Sequence, residues 1–270
     1  MRKSFLSVVL VLLFLFSVVL ASCSNSNRSS KIVVGMECAY EPFNYTEVSK
    51  TDKNVPIANV PGSYVDGYDV QIAKKIASGL NLELEVRMYS WEGLIPALKA
   101  GEIDLIIAGM SDTEERRESI DFTSPYYRSE EVVLLRKDSS FIGAKTLADF
   151  KNAKAVGQQG TIYADLVDQI ANAGAVKQNE LDSVPLIVNA ILSRSSDITV
   201  VELPVALGIC ANNADLTYIN MNSAFDVSEE DISVSIGIRK NYEYKDRINT
   251  ILASISLDER NNIMNEAINH

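Results

Sequence analysis

Two short stretches concentrate residues able to do chemistry. Residues 35–45 read GMECAYEPFNY, which places Glu37, Cys38 and Tyr40 just past the apolar run Lys31-Ile32-Val33-Val34 and just before the turn-forming Pro42. A carboxylate, a thiol and a phenol this close could form a metal or redox site, a catalytic dyad or the wall of a small-molecule pocket. Residues 105–128 read LIIAGMSDTEERRESIDFTSPYYR. Here a strand expected over Leu105–Ala108 reaches Gly109 and turns, and Ser111-Asp112-Thr113-Glu114 has the form of a capping box that starts a helix. Such a strand-to-helix turn exposes backbone N–H groups at the positive end of the helix dipole, a place for a short anion. Of the adjacent Arg116 and Arg117 only one can point back along the axis to that turn, where a guanidinium would grip a carboxylate with two hydrogen bonds. On spacing alone, both arginines could equally be surface partners of Glu114, Glu115 and Glu118.

The single histidine is His270, which removes Ser-His-Asp, Cys-His and two-histidine metal chemistry, so no metal and no cofactor is expected. The acidic clusters Glu102-Ile103-Asp104, Glu114-Glu115 and Glu229-Glu230-Asp231 read as solvated faces or hinge flanks. At the N-terminus Arg2 and Lys3 precede a 16-residue run, Phe5 to Leu20, broken only by Ser7 and Ser17, the pattern of a secretory signal. It ends in Leu20-Ala21-Ser22-Cys23 and a polar stretch through Ser30, which resembles a lipoprotein signal peptide (residues 1–22), a lipidated Cys23 and a flexible tether (23–30). A permanent single-pass anchor is the alternative, for which this run falls short of the roughly 20 residues of a comfortable span. Without the two charges of the signal, 23 basic residues stand against 36 acidic ones, a balance of −13 that argues against nucleic acid and against docking on anionic lipid. Cys38 and Cys210 are then the remaining thiols, too few for a disulfide framework.

The elements that must position these residues alternate in type. Strands are expected at Lys31–Met36, Leu82–Met88, Leu105–Ala108, Val132–Arg136, Ala155–Gly157, Ile198–Glu202, Leu216–Asn220 and Ile232–Arg239. Helices are expected at Tyr68–Gly79, with Gly79 as its stop, and at Trp91–Ala100, Asp112–Ile120, Thr161–Ala171, Val184–Ser193, Leu203–Ala211, Tyr244–Ser256 and Asp258–Ile268. A loop with Pro56, Pro61, Gly62 and Gly67 between Tyr45 and Tyr68 reads as an edge or flap. This is α/β patterning, and its rhythm restarts after Arg136, so two lobes are expected.

AGMSDTEERRESIDFTSPYY resembles the segment of extracellular amino-acid-binding proteins in which alanine-glycine, a hydroxyl residue, an arginine five positions later and an isoleucine/aspartate/phenylalanine trio follow in order. GMECAYEPFNY resembles the strand-to-loop that opens the same family, and Gly67-Tyr68-Asp69-Val70 and Trp91-Glu92-Gly93-Leu94-Ile95-Pro96-Ala97-Leu98 resemble its next two elements. The match runs over roughly residues 31 to 265. The family is the polar amino-acid solute-binding lipoproteins of ATP-driven importers, with the type 2 periplasmic-binding fold.

The resemblance implies two α/β lobes, each a mostly parallel sheet flanked by helices: residues 31–128 plus 234–270 form lobe 1 and 129–233 lobe 2, with hinges near 129–131 and 230–233. It implies that the ligand's α-carboxylate meets Arg116 and Ser111 from lobe 1 and the Gly160-Thr161 turn from lobe 2. The α-ammonium would meet the Gly109 carbonyl and Glu202, where the family usually has aspartate followed by glutamate and proline; Glu202-Leu203-Pro204 departs in both residues. Tyr40 and Trp91 would wall the ligand side chain, a setting that suits a cation, each such contact giving roughly 0.5–2 kcal/mol. Glu37 lies where the family sets specificity, and Glu37 with Met110 after Ala108-Gly109 resembles the arginine binders. Arginine or lysine is therefore expected, with glutamine or asparagine the alternative, since Gln158 offers an amide from lobe 2. The implied partners are the free amino acid, a permease with its ATPase, and the membrane through the lipid at Cys23; the protein is expected to act as an extracellular monomer, not an enzyme. A sensor with the same clamp and a dehydratase on the same fold are the weaker alternatives.

Overall fold

The computed structural model describes residues 30–269; the expected signal peptide, Cys23 and all of the tether but Ser30 lie outside them. Five short strands open the described chain: β1 (Lys31–Met36), β2 (Ala39–Tyr40), β3 (Asn44–Glu47), β4 (Val55–Pro56) and β5 (Tyr64–Asp66). Then follow α1 (Tyr68–Leu80), β6 (Glu83–Met88), α2 (Trp91–Ala100), β7 (Leu105–Ile106), α3 (Glu114–Ser119) and β8 (Asp121–Phe122). After a crossing strand, β9 (Tyr127–Arg128), come β10 (Glu131–Arg136), β11 (Lys154–Ala155), α4 (Ile162–Asn172), β12 (Val176–Lys177) and α5 (Val184–Leu192). The same half continues with β13 (Ile198–Glu202), α6 (Leu203–Asn212) and β14 (Leu216–Asn220). The chain returns through β15 (Ser233–Val234) and β16 (Gly237–Ile238) to α7 (Lys245–Ser254) and α8 (Leu257–Ile268).

These elements make two α/β lobes, each built on one five-stranded sheet. The first has the order β6-β1-β7-β16-β8, its first three strands parallel and β16 antiparallel to both neighbours. The second has the order β12-β11-β13-β10-β14, with β10 antiparallel to the strands on either side. Helices cover both faces of the second sheet, and β10 shows why its sequence is apolar without alternation. Val132 and Leu134 enter one core with Val201 and Leu216, while Val133 and Leu135 enter another with Phe150 and Ile198. The two connections between the lobes run side by side, β9 pairing with β15 in antiparallel register, Tyr127 with Val234 and Arg128 with Ser233.

Several local expectations are corrected. The helix α1 passes through Gly79 and ends at Leu80, with Asn81 in the left-handed region (φ 59°) as its cap. Gly79 has a packing role instead: a Cβ there would come 2.6 Å from Ile251 Cδ1 of α7. Ser111 does not cap α3; Thr113 does, its side chain accepting from the Arg116 N–H, while Ser111 forms an isolated bridge with Val234. The strand expected over Ile232–Arg239 is split. Ser235 N–H turns to the Met110 carbonyl (2.9 Å) and Ile236 N–H to Thr123 Oγ1 (3.2 Å), so β15 belongs to the crossing and β16 to the first sheet. The segment between Tyr45 and Tyr68 holds β4 and β5, in a small sheet of order β2-β3-β5-β4.

Leu134 is fully buried in the middle of β10. Leu134→Ala is expected to lower the unfolding free energy by about 2–5 kcal/mol, the usual range for a buried leucine truncation, read from urea denaturation.

Candidate functional site

The turn after β1 arranges the first stretch. Cys38 sits in the left-handed region (φ 59°), held by its N–H to Asn44 Oδ1 (2.7 Å) and by Thr46 Oγ1 donating to its carbonyl (2.8 Å). Asn44 in turn donates to Asp69 Oδ2 (2.8 Å), so this bend is tied to the first turn of α1. The thiol is buried, its ionisation pushed up to about 12 by desolvation, and both Cys38 and Cys210 are free. The reversal sends Glu37 and Tyr40 into the space between the lobes. Tyr40 lies flat on Phe43, with centroids 5.5 Å apart and planes 10° from parallel.

The second stretch is fixed by the same aspartate. The Tyr126 hydroxyl donates to Asp69 Oδ1 (2.6 Å) and accepts from the Gly109 N–H (3.2 Å). Gly109 has φ 62°, and a Cβ there would lie 2.8 Å from Tyr40 Cε1; both conditions demand glycine. Beyond it the two arginines diverge. Arg117 makes a two-bonded pair with Asp112 on the surface (2.7 and 2.8 Å). Arg116 turns inward, its Nη1 donating to the Ser111 carbonyl (2.7 Å) and its Nη2 across the cleft to the Gly160 carbonyl (3.1 Å), with the guanidinium 5.2 Å above the Trp91 ring.

The second lobe closes on these groups directly. Gly160 (φ 70°) sits so near lobe 1 that a Cβ on it would come 2.1 Å from Glu92 Oε1, and its carbonyl also accepts from Trp91 Nε1 (2.8 Å). Gln158 Nε2 donates to both oxygens of Glu37 (3.0 and 3.3 Å) and to the Asp182 carbonyl (3.2 Å). Thr161 Oγ1 donates to the Gln158 carbonyl (2.8 Å), and Tyr40 donates to Glu202 Oε1 (2.7 Å).

Glu37, Tyr40, Trp91, Gly109, Ser111, Arg116, Gln158 and Thr161 line one cavity between the lobes. Gly160 reaches it through its carbonyl contacts and Glu202 through Tyr40. Met110 is buried against Leu94, Leu98 and Ile106 of lobe 1 and, instead of the small cavity, lines the adjoining groove with Trp91, Arg116, Gly160 and Thr161. The cavity measures about 10 Å³, on the scale of one water molecule, so an amino acid enters only when the lobes part. A larger groove of about 720 Å³ over α1 and α8 is open to solvent. The interlobe cavity is the candidate because a guanidinium and carboxyls from both lobes converge there.

The profile of bacterial extracellular solute-binding proteins, family 3, matches residues 32–269. The chain belongs to this family. It is 29% identical over 238 residues to the arginine-binding extracellular protein ArtP of Bacillus subtilis, covering 86% of each chain. It is also 31% identical over 193 residues to a probable histidine-binding protein of Campylobacter jejuni, covering 72% of this chain and 68% of that one. Among solved structures it is similar to the amino-acid ABC transporter substrate-binding protein AbpA of Streptococcus pneumoniae bound to L-arginine. There the TM-score is 0.76 at 25% identity, over 89% of this chain and 95% of that one.

In this family 3 protein two further residues line the cavity. Ile162 and Tyr163 line the cavity from the first turn of α4, and their place just after the Gly160-Thr161 turn is the signal that marks them. Glu131, at the head of β10, is the register partner of Glu202, which only the strand pairing reveals. Burial dominates the electrostatics. It pushes the Glu37 carboxyl up to about 7 against the pull of Gln158, and Glu202 up to about 8 against the pull of Tyr40 and Tyr163. Glu131 is pushed to about 9, with Glu202 and Asp231 adding repulsion, and Asp69 to about 6 despite its bonds to Tyr126 and Asn44.

All four carboxyls therefore bind protons more tightly folded than unfolded. Their stabilising contribution is complete below the unfolded values of 3.8 and 4.5 and is lost as pH rises through the folded values between about 6 and 9. The melting temperature of the ligand-free protein is expected to fall steadily from pH 5 to pH 9 by calorimetry; a plateau across that window would contradict this electrostatic reading.

Proposed function

We propose that this protein is the substrate-binding component of an amino-acid importer, capturing a polar amino acid, arginine or lysine first, by hinge closure and delivering it to a membrane permease driven by an ATPase. The observation that carries the reading is the meeting of Arg116 from lobe 1 with the Gly160 turn and Glu202 of lobe 2 around one cavity. A zwitterion needs one fixed cation and one fixed anion, and here the two come from different lobes, so the ligand itself bridges the closed state.

The carboxylate would take the place of the Gly160 carbonyl on Arg116, aided by Ser111 and the free N–H groups at the start of α4 behind Thr161. The ammonium would sit between the Gly109 carbonyl and Glu202. The side chain would run between Tyr40 and Trp91 toward Glu37, replacing the Gln158 amide there. Arginine is supported by that carboxylate at the end of an aromatic slot and by the arginine-binding relatives. Glutamine or asparagine is the second reading, favoured by the Gln158–Glu37 contact itself, since Glu37 already accepts an amide N–H₂. The paired strands β9 and β15 would serve as the hinge between lobe 1 (31–128 plus 234–270) and lobe 2 (129–233). Cys23 would carry the lipid that holds the protein at the outer face of the membrane. The protein would act as a monomer and without catalysis.

Removing one partner of a buried charge pair costs roughly 2–5 kcal/mol, about 30- to several-thousand-fold in affinity. Arg116→Ala is expected to abolish amino-acid binding in calorimetry and Arg117→Ala to leave it intact; unchanged affinity in the first would sink the carboxylate assignment. A thermal-shift screen of the twenty amino acids is expected to give its largest shift with arginine or lysine. A shift with glutamate alone would refute the cationic reading.

A further inference from the structure

Glu37 is built to meet more than one kind of side chain. Its carboxyl is 7% exposed, at the turn after β1, and both of its oxygens face one amide of the opposite lobe, Gln158 Nε2 (3.0 and 3.3 Å). A further bond, to the Asp182 carbonyl (3.2 Å), ties that amide to lobe 2. The carboxyl thus lies where the lobes meet, and its side-chain hydrogen bonds come from a neutral group.

One cation shares the cavity wall: Arg116 of α3, whose guanidinium is engaged by the Ser111 and Gly160 carbonyls above the Trp91 ring. Tyr40 of β2 and Tyr163 of α4 also line the cavity, and Cys38 follows Glu37 in the chain; burial holds both phenols and the thiol in their neutral forms. Asp69 of α1 lies beyond Cys38, bonded to Asn44 and Tyr126, and Glu202 of β13 lies beyond Tyr40. A carboxylate in such a place, out of water and met by a neutral amide, is disfavoured against its acid form. Burial accordingly pushes Glu37 up to about 7 against the pull of Gln158, so a proton comes and goes there near neutral pH.

The two forms have different partners. A carboxylate presents two acceptors in one plane, the complement of the paired N–H groups of a guanidinium. A carboxylic acid presents one acceptor and one donor, the complement of the N–H₂ and C=O of a carboxamide. The Gln158 contact shows that a carboxamide reaches Glu37 at hydrogen-bonding distance.

We infer that the proton on Glu37 selects the ligand's side chain: the carboxylate takes a guanidinium and the carboxylic acid takes a carboxamide, so one site changes its preference with pH. The inference rests on the placement of Glu37 at the side-chain end of the site proposed above. When arginine meets the acid form, one carboxyl O–H bond breaks, the proton goes to water or buffer, and the guanidinium supplies the positive charge in its place. Glutamine binds with the proton retained. The advantage of arginine over glutamine therefore grows by about tenfold per pH unit as the carboxyl ionises. Both ligands carry the same backbone ammonium and carboxylate, so the contributions of Glu202, Asp69 and Arg116 cancel in the ratio of their affinities.

The test is a calorimetric titration of the full protein with L-arginine and with L-glutamine at pH 5.5 and 7.5, each in two buffers of different ionisation enthalpy. The affinity ratio is expected to shift toward arginine by roughly 30- to 100-fold between these pH values, and arginine is expected to release about one proton more than glutamine does. In Glu37→Gln, whose amide cannot titrate, the advantage of arginine is expected to stay at or below its value at pH 5.5. A constant ratio, equal proton counts, a native protein that binds only one of the two ligands, or a variant whose ratio climbs as the native one does overturns the inference. Should Glu37→Gln fail to fold by circular dichroism, the proton count on the native protein decides. These outcomes leave amino-acid capture standing, whereas the absence of binding heat with all twenty amino acids defeats that reading and this inference together.

Discussion

Keeping carboxyl groups out of water is the constraint on which the cleft depends. Glu37, Glu131, Glu202 and Asp69 are all buried around it, against one guanidinium, Arg116, that is already engaged by two carbonyls and an aromatic face. Burial disfavours the charged form of each acid, and the protein answers with neutral donors: Gln158 on Glu37, Tyr40 on Glu202, and Tyr126 with Asn44 on Asp69. These acids are therefore held toward their protonated forms around the one guanidinium of the cavity wall, Arg116.

The same neutral bonds explain how closure can be reversible. Among the contacts that now join the lobes, the Trp91 donor on Gly160, the Gln158 amide on Glu37, the Asn212 amide on Glu41 and the Tyr40 phenol on Glu202 come from neutral donors, and the Arg116 donor on Gly160 from a charged one. A neutral hydrogen bond contributes a net of about 0.5–1.5 kcal/mol and one to a charged group about 1.5–3 kcal/mol, so each contact between the lobes is individually modest. Nothing in the two sheets need change. The contacts lie at strand ends and helix starts, beside the β9–β15 ribbon that links the lobes.

Much of this was legible from residue order. β1, β13, β14 and α2 read to their ends, because each is an apolar run or an amphipathic stretch bounded by turn residues. The cavity wall was legible wherever a motif carried it, at Glu37 and Tyr40, at Trp91, and at Gly109, Ser111 and Arg116. What stayed hidden depended on distant packing. Gly79 reads as a helix stop but makes room for Ile251, which is 172 positions away in sequence and close only in the fold. Ser111 and Thr113 are both competent caps, and the bridge of Ser111 to Val234 decides between them. Met110 sits between two cavity residues in sequence, yet it packs on the core of lobe 1 and borders the adjoining groove instead. Glu131 carried no local signal, since its meaning lies in its pairing with Glu202.

That pairing also bears on the departure of Glu202 from the aspartate usual at its position. An aspartate is one methylene shorter and would hold its carboxyl closer to β13. The longer glutamate reaches the phenol of Tyr40, a residue of the opposite lobe, at 2.7 Å. Tyr40 thus has its ring fixed by the Phe43 stack and its hydroxyl fixed by Glu202. The extra methylene therefore does more than shift a contact: it ties the Phe43-stacked ring of Tyr40 in lobe 1 to the end of β13 in lobe 2.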